Sequence, residues 1–166
     1  PEKVDVIVSE WMGYALLFEG MLQTVLDARD RWLKPGGTLV PGRARLYVAA
    51  VEDFEVEAKR FAWWDSVYGF DMSAVAEHSR REPLVDFAEP HSLLTASEVL
   101  VDLDLHEMTP EDAAFHAKLT LRADRNDTMH ALLLWFDVDL TPDVELSTSP
   151  HDAPTHWKQT LLYLPR

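Results

Sequence analysis

Ser9-Glu10-Trp11-Met12-Gly13-Tyr14-Ala15-Leu16-Leu17-Phe18-Glu19-Gly20-Met21-Leu22 places two glutamates, Glu10 and Glu19, around a short segment rich in apolar and aromatic side chains. The β-branched run Val4-Asp5-Val6-Ile7-Val8 before it is short enough for a buried strand. A segment of helical periodicity follows. Both carboxylates therefore fall on a strand-to-helix connection, where α/β folds gather ligands.

Two carboxylates side by side repel, and one holds its proton unless a cation sits between them. The cation that suits two planar carboxylates is guanidinium, which presents N–H donors in a fixed fork and stays charged at working pH. One reading is thus a pocket that grips an arginine side chain, its stem walled by the aromatics and Met12. The other is a pair of solvated glutamates at a helix start, stabilised by the helix dipole. Spacing alone leaves both open.

Outward from this stretch, residues 19–34 carry Leu22, Val25, Leu26, Arg29 and Leu33 at three-and-four spacing, which predicts an amphipathic helix. Arg29 interrupts the stripe and must snorkel or pair. Lys34-Pro35-Gly36-Gly37 is expected to stop the helix and turn the chain. Residues 38–51 then read as extended, broken at Pro41-Gly42. A domain boundary is expected there, dividing residues 1–41 from 42–166.

Residues 52–67 are charged and aromatic and read as helical. Phe61, Trp63, Trp64, Tyr68 and Phe70 crowd aromatic surface into a few positions, the pattern of a core or an interface. Residues 73–81 read as a polar helix. Beyond Pro83 the pattern turns to β, with strands expected over 99–105, 115–122, 130–140 and 159–164. Residues 109–112, 125–127 and 149–154 read as turns or loops. Strands at this spacing suggest a sandwich or barrel.

The string from Ser9 to Leu22 resembles the double-E loop of the protein arginine methyltransferases. Thr155-His156-Trp157-Lys158-Gln159-Thr160 is similar to that family's Thr-His-Trp loop. Tyr68-Gly69-Phe70-Asp71-Met72, behind Trp63-Trp64, is similar to its dimerisation arm. The matches come in the family's order and span nearly all of the chain. The resemblance implies an α/β + β architecture. Residues 1–41 would be the C-terminal end of a Rossmann-like, S-adenosylmethionine-dependent domain. Residues 42–166 would be a partial β-barrel with a helical arm at about 54–82.

It also implies methyl transfer from S-adenosylmethionine to an arginine ω-nitrogen, as asymmetric dimethylation or, alternatively, monomethylation alone. Glu10 and Glu19 would hold the guanidinium, and His156 would orient the loop or carry off the proton. Met12, Tyr14 and Trp157 would line the substrate pocket. Trp63, Trp64, Tyr68, Phe70 and Met72 would dock a homodimer. Implied substrates are Arg-rich proteins, such as histone tails or Gly-Arg-rich RNA-binding proteins, in the cytoplasm, the nucleus or both.

The composition is compatible with this. Net charge is −14, with 29 acidic against 15 basic residues, which disfavours nucleic-acid binding and suits a basic partner. There is no cysteine, and the seven histidines show no metal-ligand spacing, so no metal is expected. No apolar run approaches membrane-spanning length, and no membrane partner is expected.

The departures from the family matter equally. The chain has no Gly-rich dinucleotide-type turn and no acidic residue behind one, so no cofactor-binding residue is identified. It opens on Pro1 and runs directly into a strand. It reads as a partial copy that holds the arginine side of the site and is inactive alone. The alternatives are a non-catalytic module that binds Arg-rich peptides or heterodimerises, and a hydrolase using the glutamates as an acid/base pair.

Overall fold

The computed structural model describes residues 2–165. Strand β1 (Val4–Val8) forms where the β-branched run predicts, but it is exposed rather than buried. It pairs in parallel with β2 (Leu33–Val40), and these two strands make a sheet of their own. With one neighbour in that sheet, Val8 is left 72% exposed. Lys34-Pro35-Gly36-Gly37 lies inside β2, where it throws the register off: Val4 opposes Leu33, yet Val6 opposes Thr38.

Between the two strands runs helix α1 (Leu22–Trp32), shorter than the 19–34 expected. Leu22, Val25 and Leu26 are buried along its inner stripe. Arg29 fills the gap in that stripe by pairing. Its Nη1 donates to Leu105 O at 2.7 Å and to Met108 O at 2.8 Å. Its Nε donates to Asp30. One guanidinium thus ties α1 to the turn after β5 (Glu98–Asp104). Arg29→Met keeps most of the stem and strips both carbonyls of their donor. A loss of about 1.5–3 kcal/mol in unfolding free energy is expected. An unchanged denaturation midpoint would show that water replaces the guanidinium there.

After Pro41 the chain enters an antiparallel sheet of β3 (Arg43–Val51), β4 (Leu84–Asp86), β5, β6 (Ala131–Thr141), β7 (Val144–Ser147) and β8 (Gln159–Tyr163). The order is β4-β8-β6-β3-β5, with β7 also on β6. Sheet and arm together are the partial barrel expected, and β4, β5 and β7 each have one partner among the described residues. Period-two alternation decides what each face meets. Leu46 and its partner Phe136, with Ala44, Val138 and Leu103, pack in one core with Trp11, Met12, Leu16 and α1. Ala49 and its partner Leu133, with Val51, Trp135 and Leu161, pack against Phe61 and Ala76.

Residues 115–122 do not form the expected strand. Their alternation prescribes two faces but supplies no partner backbone, and a strand exists only as a member of a ladder. Among the described residues the nearest pairing is the isolated bridge between Thr95 and Ala123.

The 52–67 segment is helical but irregular. It runs as α2 (Phe54–Val56), a π-helical turn (Glu57–Phe61) and a 3₁₀ turn (Ala62–Ser66). Asp53 caps its start by accepting from Val56 N at 3.3 Å. Helix α3 (Ser73–Arg80) brings the chain back, so α2 to α3 form a two-legged excursion from the sheet.

Candidate functional site

The loop between β1 and α1 is tightly folded, and its backbone is pinned on either side of the glutamates. Ser9 N donates to Val40 O at 3.0 Å, pinning the loop to the end of β2. Trp11, Met12 and Leu16 then turn inward and are buried. Gly13 N donates to Leu16 O at 3.0 Å, and Leu17 N donates to Ala15 O at 2.8 Å. That second bond closes a three-residue turn about Leu16, whose φ is +67°, following Ala15 at +46°. Two consecutive non-glycine residues in the left-handed region are costly and persist where burial over-determines them. Leu16, 0% exposed, supplies that burial.

The same winding brings Glu19 back onto Gly13. A Cβ at position 13 would lie 2.7 Å from Glu19 N and 2.8 Å from Glu19 Cγ. Glycine is therefore required by close approach, not by its own φ. Gly13→Ala is expected to cost about 1–3 kcal/mol in stability and to push Glu19 outward. Thermal melting of the variant measures the first effect, and a parent-like melt would mean that the loop yields freely. Glu10 and Glu19 both stand exposed, on a loop whose apolar side chains are its anchors.

The Thr155–Lys158 turn arrives from far along the chain. Lys158 N donates to Thr155 O at 3.2 Å, and Lys158 has φ +53°. Trp157 Nε1 donates to Met12 O at 2.7 Å, joining residues 145 positions apart. The Trp157 ring meets Phe136 edge-on at 5.6 Å, and the His156 ring lies tilted over it at 3.9 Å. His156 is thus exposed on a buried tryptophan that is bonded to the glutamate loop. The structure brings Glu10, Glu19, Met12, Tyr14, His156 and Trp157 into this one region. Tyr14 is exposed, whereas Met12 and Trp157 are buried beneath the loop as its foundation.

Sequence reasoning passed over several residues here. Leu16 carries the strained turn, and Phe18 and Met21 stand exposed on either side of Glu19. Only their place in the bracketed stretch could have flagged them. Gln159 is buried, with Nε2 donating to Thr148 O at 2.8 Å and Oε1 accepting from Ala88 N at 2.9 Å. It locks β8 directly behind the turn. Next to it, Lys158 Nζ reaches Asp86 at 3.1 Å. Burial works against the Asp86 charge. The Phe87 N–H and the Lys158 ammonium outweigh it and hold that carboxyl below its ordinary range. Trp11 Nε1 and Thr155 Oγ1, one on each loop, are buried without a hydrogen-bond partner among the described residues.

At the far end of the excursion, Val67 and Phe70 exchange backbone hydrogen bonds at 2.9 and 3.0 Å around Tyr68 and Gly69. Both central residues have positive φ, +52° and +86°, the mark of a tight hairpin turn. The turn thrusts its side chains outward: Tyr68 is 97% and Phe70 71% exposed. Trp63 and Met72 are exposed as well, and Trp64 packs edge-on against Trp63 at 4.8 Å. Apolar surface concentrated in this way marks an interaction face. Among the described residues no helix is long and apolar enough to cross a membrane, and no group of three or more His, Asp or Glu could hold a metal.

A strand-to-helix loop bearing two exposed glutamates is thus joined by a tryptophan to an antiparallel sheet that carries an aromatic arm. Residues 42–166 match the model of the arginine methyltransferase oligomerization subdomain, and the chain belongs to the arginine methyltransferase family. It is 47% identical over 165 residues to protein arginine N-methyltransferase 1 of Oryza sativa subsp. indica, covering 98% of this chain and 43% of that protein. It is 48% identical to protein arginine N-methyltransferase 1 of Schizosaccharomyces pombe, covering 48% of that protein. The chain thus spans less than half the length of these relatives. Among solved structures it is similar to a chain of the Trypanosoma brucei PRMT1 enzyme–prozyme heterotetrameric complex with AdoHcy. There the TM-score is 0.94 at 40% identity, covering 99% of this chain and 53% of that one. Arabidopsis thaliana protein arginine methyltransferase 10 superposes with a TM-score of 0.78 at 29% identity.

Proposed function

We propose that this chain supplies the arginine-gripping side of a protein-arginine methyltransferase that makes asymmetric dimethylarginine on Arg-rich proteins. The observation that carries the reading is the Trp157 Nε1 to Met12 O hydrogen bond, which couples the His156 turn to the glutamate loop. Residues 1–41 are the end of the cofactor domain, and residues 42–166 are the barrel domain with its arm. Trp63, Trp64, Tyr68, Phe70 and Met72 dock a second subunit.

S-adenosylmethionine supplies an electrophilic methyl group when bound. The described residues offer no Gly-rich turn to seat it, and the part played by this chain is on the arginine. Guanidinium is a poor nucleophile because its lone pairs are delocalised over three nitrogens. Glu10 and Glu19 hold its plane and draw positive charge toward the nitrogens they touch. Electron density is thereby left on the nitrogen to be methylated, and most of the effect is positioning and electrostatics. That nitrogen needs no strong base at the outset, since its proton becomes acidic only as the new bond forms. His156, an imidazole over Trp157, orients the turn and takes part in the proton's departure.

The test is methyl transfer by the protein joined to its cofactor domain, using a Gly-Arg-rich peptide and its Lys-substituted counterpart. Asymmetric dimethylarginine on the first and nothing on the second is the expected result. Methylation of the lysine peptide, or binding of arginine peptides with no turnover, would overturn the enzyme reading. The latter outcome favours the non-catalytic module.

A further inference from the structure

Trp64 packs against the core on its face of the sheet, and beyond it the arm reaches out to the exposed tip of Tyr68 and Phe70. At the tip, Met72 N donates to Trp64 O at 2.9 Å and Ser73 N donates to Asp71 at 2.9 Å, both within the arm itself. The tip's direction is therefore set nearer the root, by Trp64 and by the groups packed beneath it. The root holds a fully packed ion pair. Arg80, at the end of α3, donates from Nη1 to Glu57 Oε2 at 2.7 Å, and from Nη2 to the other carboxylate oxygen. Glu57 opens the π-helical turn of the outgoing leg, and both residues are more than nine-tenths buried. The Arg80 guanidinium also lies over the Phe61 ring, 4.2 Å from its centroid. Phe61 is 1% exposed and meets Tyr163 of β8 edge-on at 4.8 Å. Tyr163 in turn donates its hydroxyl to Asp53, the residue capping α2.

A buried ion pair adds little net stability over a well-packed apolar pair, because desolvation cancels most of the attraction. Its distinctive property is geometric. A bidentate fork stacked on a ring permits one separation and one rotation between the two legs, where facing apolar side chains would permit several.

We infer that Glu57 and Arg80, with Phe61 as their platform, are positioning residues that hold the arm preassembled for docking onto a second copy of the protein. This rests on the reading of the arm as the oligomerising element. Neither Glu57 nor Arg80 needs to touch the partner. Their contribution is that docking pays no cost for ordering the arm. When only a fraction of arms is competent, the apparent dissociation constant rises by the inverse of that fraction.

The test uses the protein joined to its cofactor domain and two variants. Arg80→Lys keeps the charge and loses the fork. The Glu57→Met/Arg80→Met double variant keeps volume and leaves no buried charge unpaired. Hydrogen exchange over residues 61–72 and sedimentation equilibrium are measured alongside thermal melting. Both variants are expected to melt cooperatively near the parent. Their tip amides should exchange faster by about tenfold or more, and self-association should weaken by about tenfold for each arm engaged. Parent-like exchange and parent-like association in the double variant would overturn the inference and leave the pair as packing. A double variant that melts early hands the decision to Arg80→Lys, read the same way. If the parent itself stays monomeric while the variants' tips exchange faster, the positioning role stands and the oligomerising reading falls.

Discussion

Glu10→Gln and Glu19→Gln are each expected to lower arginine methylation by about a hundredfold to a thousandfold, or about 3–4 kcal/mol of transition-state stabilisation. Glutamine keeps the shape and one carbonyl acceptor. It replaces the second oxygen with an NH₂ that faces the guanidinium N–H groups donor to donor. It also removes the negative charge that pulls positive charge away from the reacting nitrogen. Both side chains are exposed and anchor nothing in the core, so the melting temperature should not move. The expected signature is a fall in kcat with the fold intact, measured with a Gly-Arg-rich peptide on the protein joined to its cofactor domain. Near-normal turnover in either variant sinks the assignment of that residue.

Leu16→Ala carries the largest expected effect on stability, about 2–5 kcal/mol, because Leu16 is fully buried and its cavity is walled by the sheet and α1. A single domain is stable by about 5–15 kcal/mol in all, so this is a large share. The loss has a functional side. Leu16 sits at φ +67° because its side chain is held in the core, and the turn about it returns Glu19 to Gly13. Freed of that anchor, the backbone is expected to relax and Glu19 to move off Gly13, changing its position relative to Glu10. Urea titration gives the first quantity and binding of an arginine peptide the second. A Leu16→Ala protein within about 1 kcal/mol of the parent would show that the strained turn is held by something other than this side chain.

Much of this was legible in the residues themselves. The amphipathic stripe of α1 is there in Leu22, Val25 and Leu26, and the alternation in 43–51 and 131–141 follows from each strand having one face on a core. These are local periodicities that side-chain direction imposes on any chain of the kind. The glutamate pair, the aromatic arm and the Thr-His-Trp turn were likewise visible as strings. What periodicity could not give was partnership. Residues 115–122 alternate as well as β3 does, yet β3 lies between β5 and β6 while 115–122 meets no ladder among the described residues. Strand β1 carries the composition of a buried strand and stands exposed, since burial depends on what lies across its faces.

Two carboxylates on a strand-to-helix loop, an aromatic excursion and an antiparallel β region could all be read from the residues alone, and they pointed to the family. Residue type and spacing suffice for that, because they dictate local backbone preference and the chemistry a side chain can offer. That Trp157 is the tie to Met12 and that Leu16 bears the strain of the loop emerges first in the folded molecule. It alone showed that Gly13 is a seat for Glu19 and that Arg80 closes the arm on Glu57. Each of these joins groups that the chain holds apart in sequence or turns a residue against its own preference. Such contacts exist only once the core has collapsed and set the distances between elements.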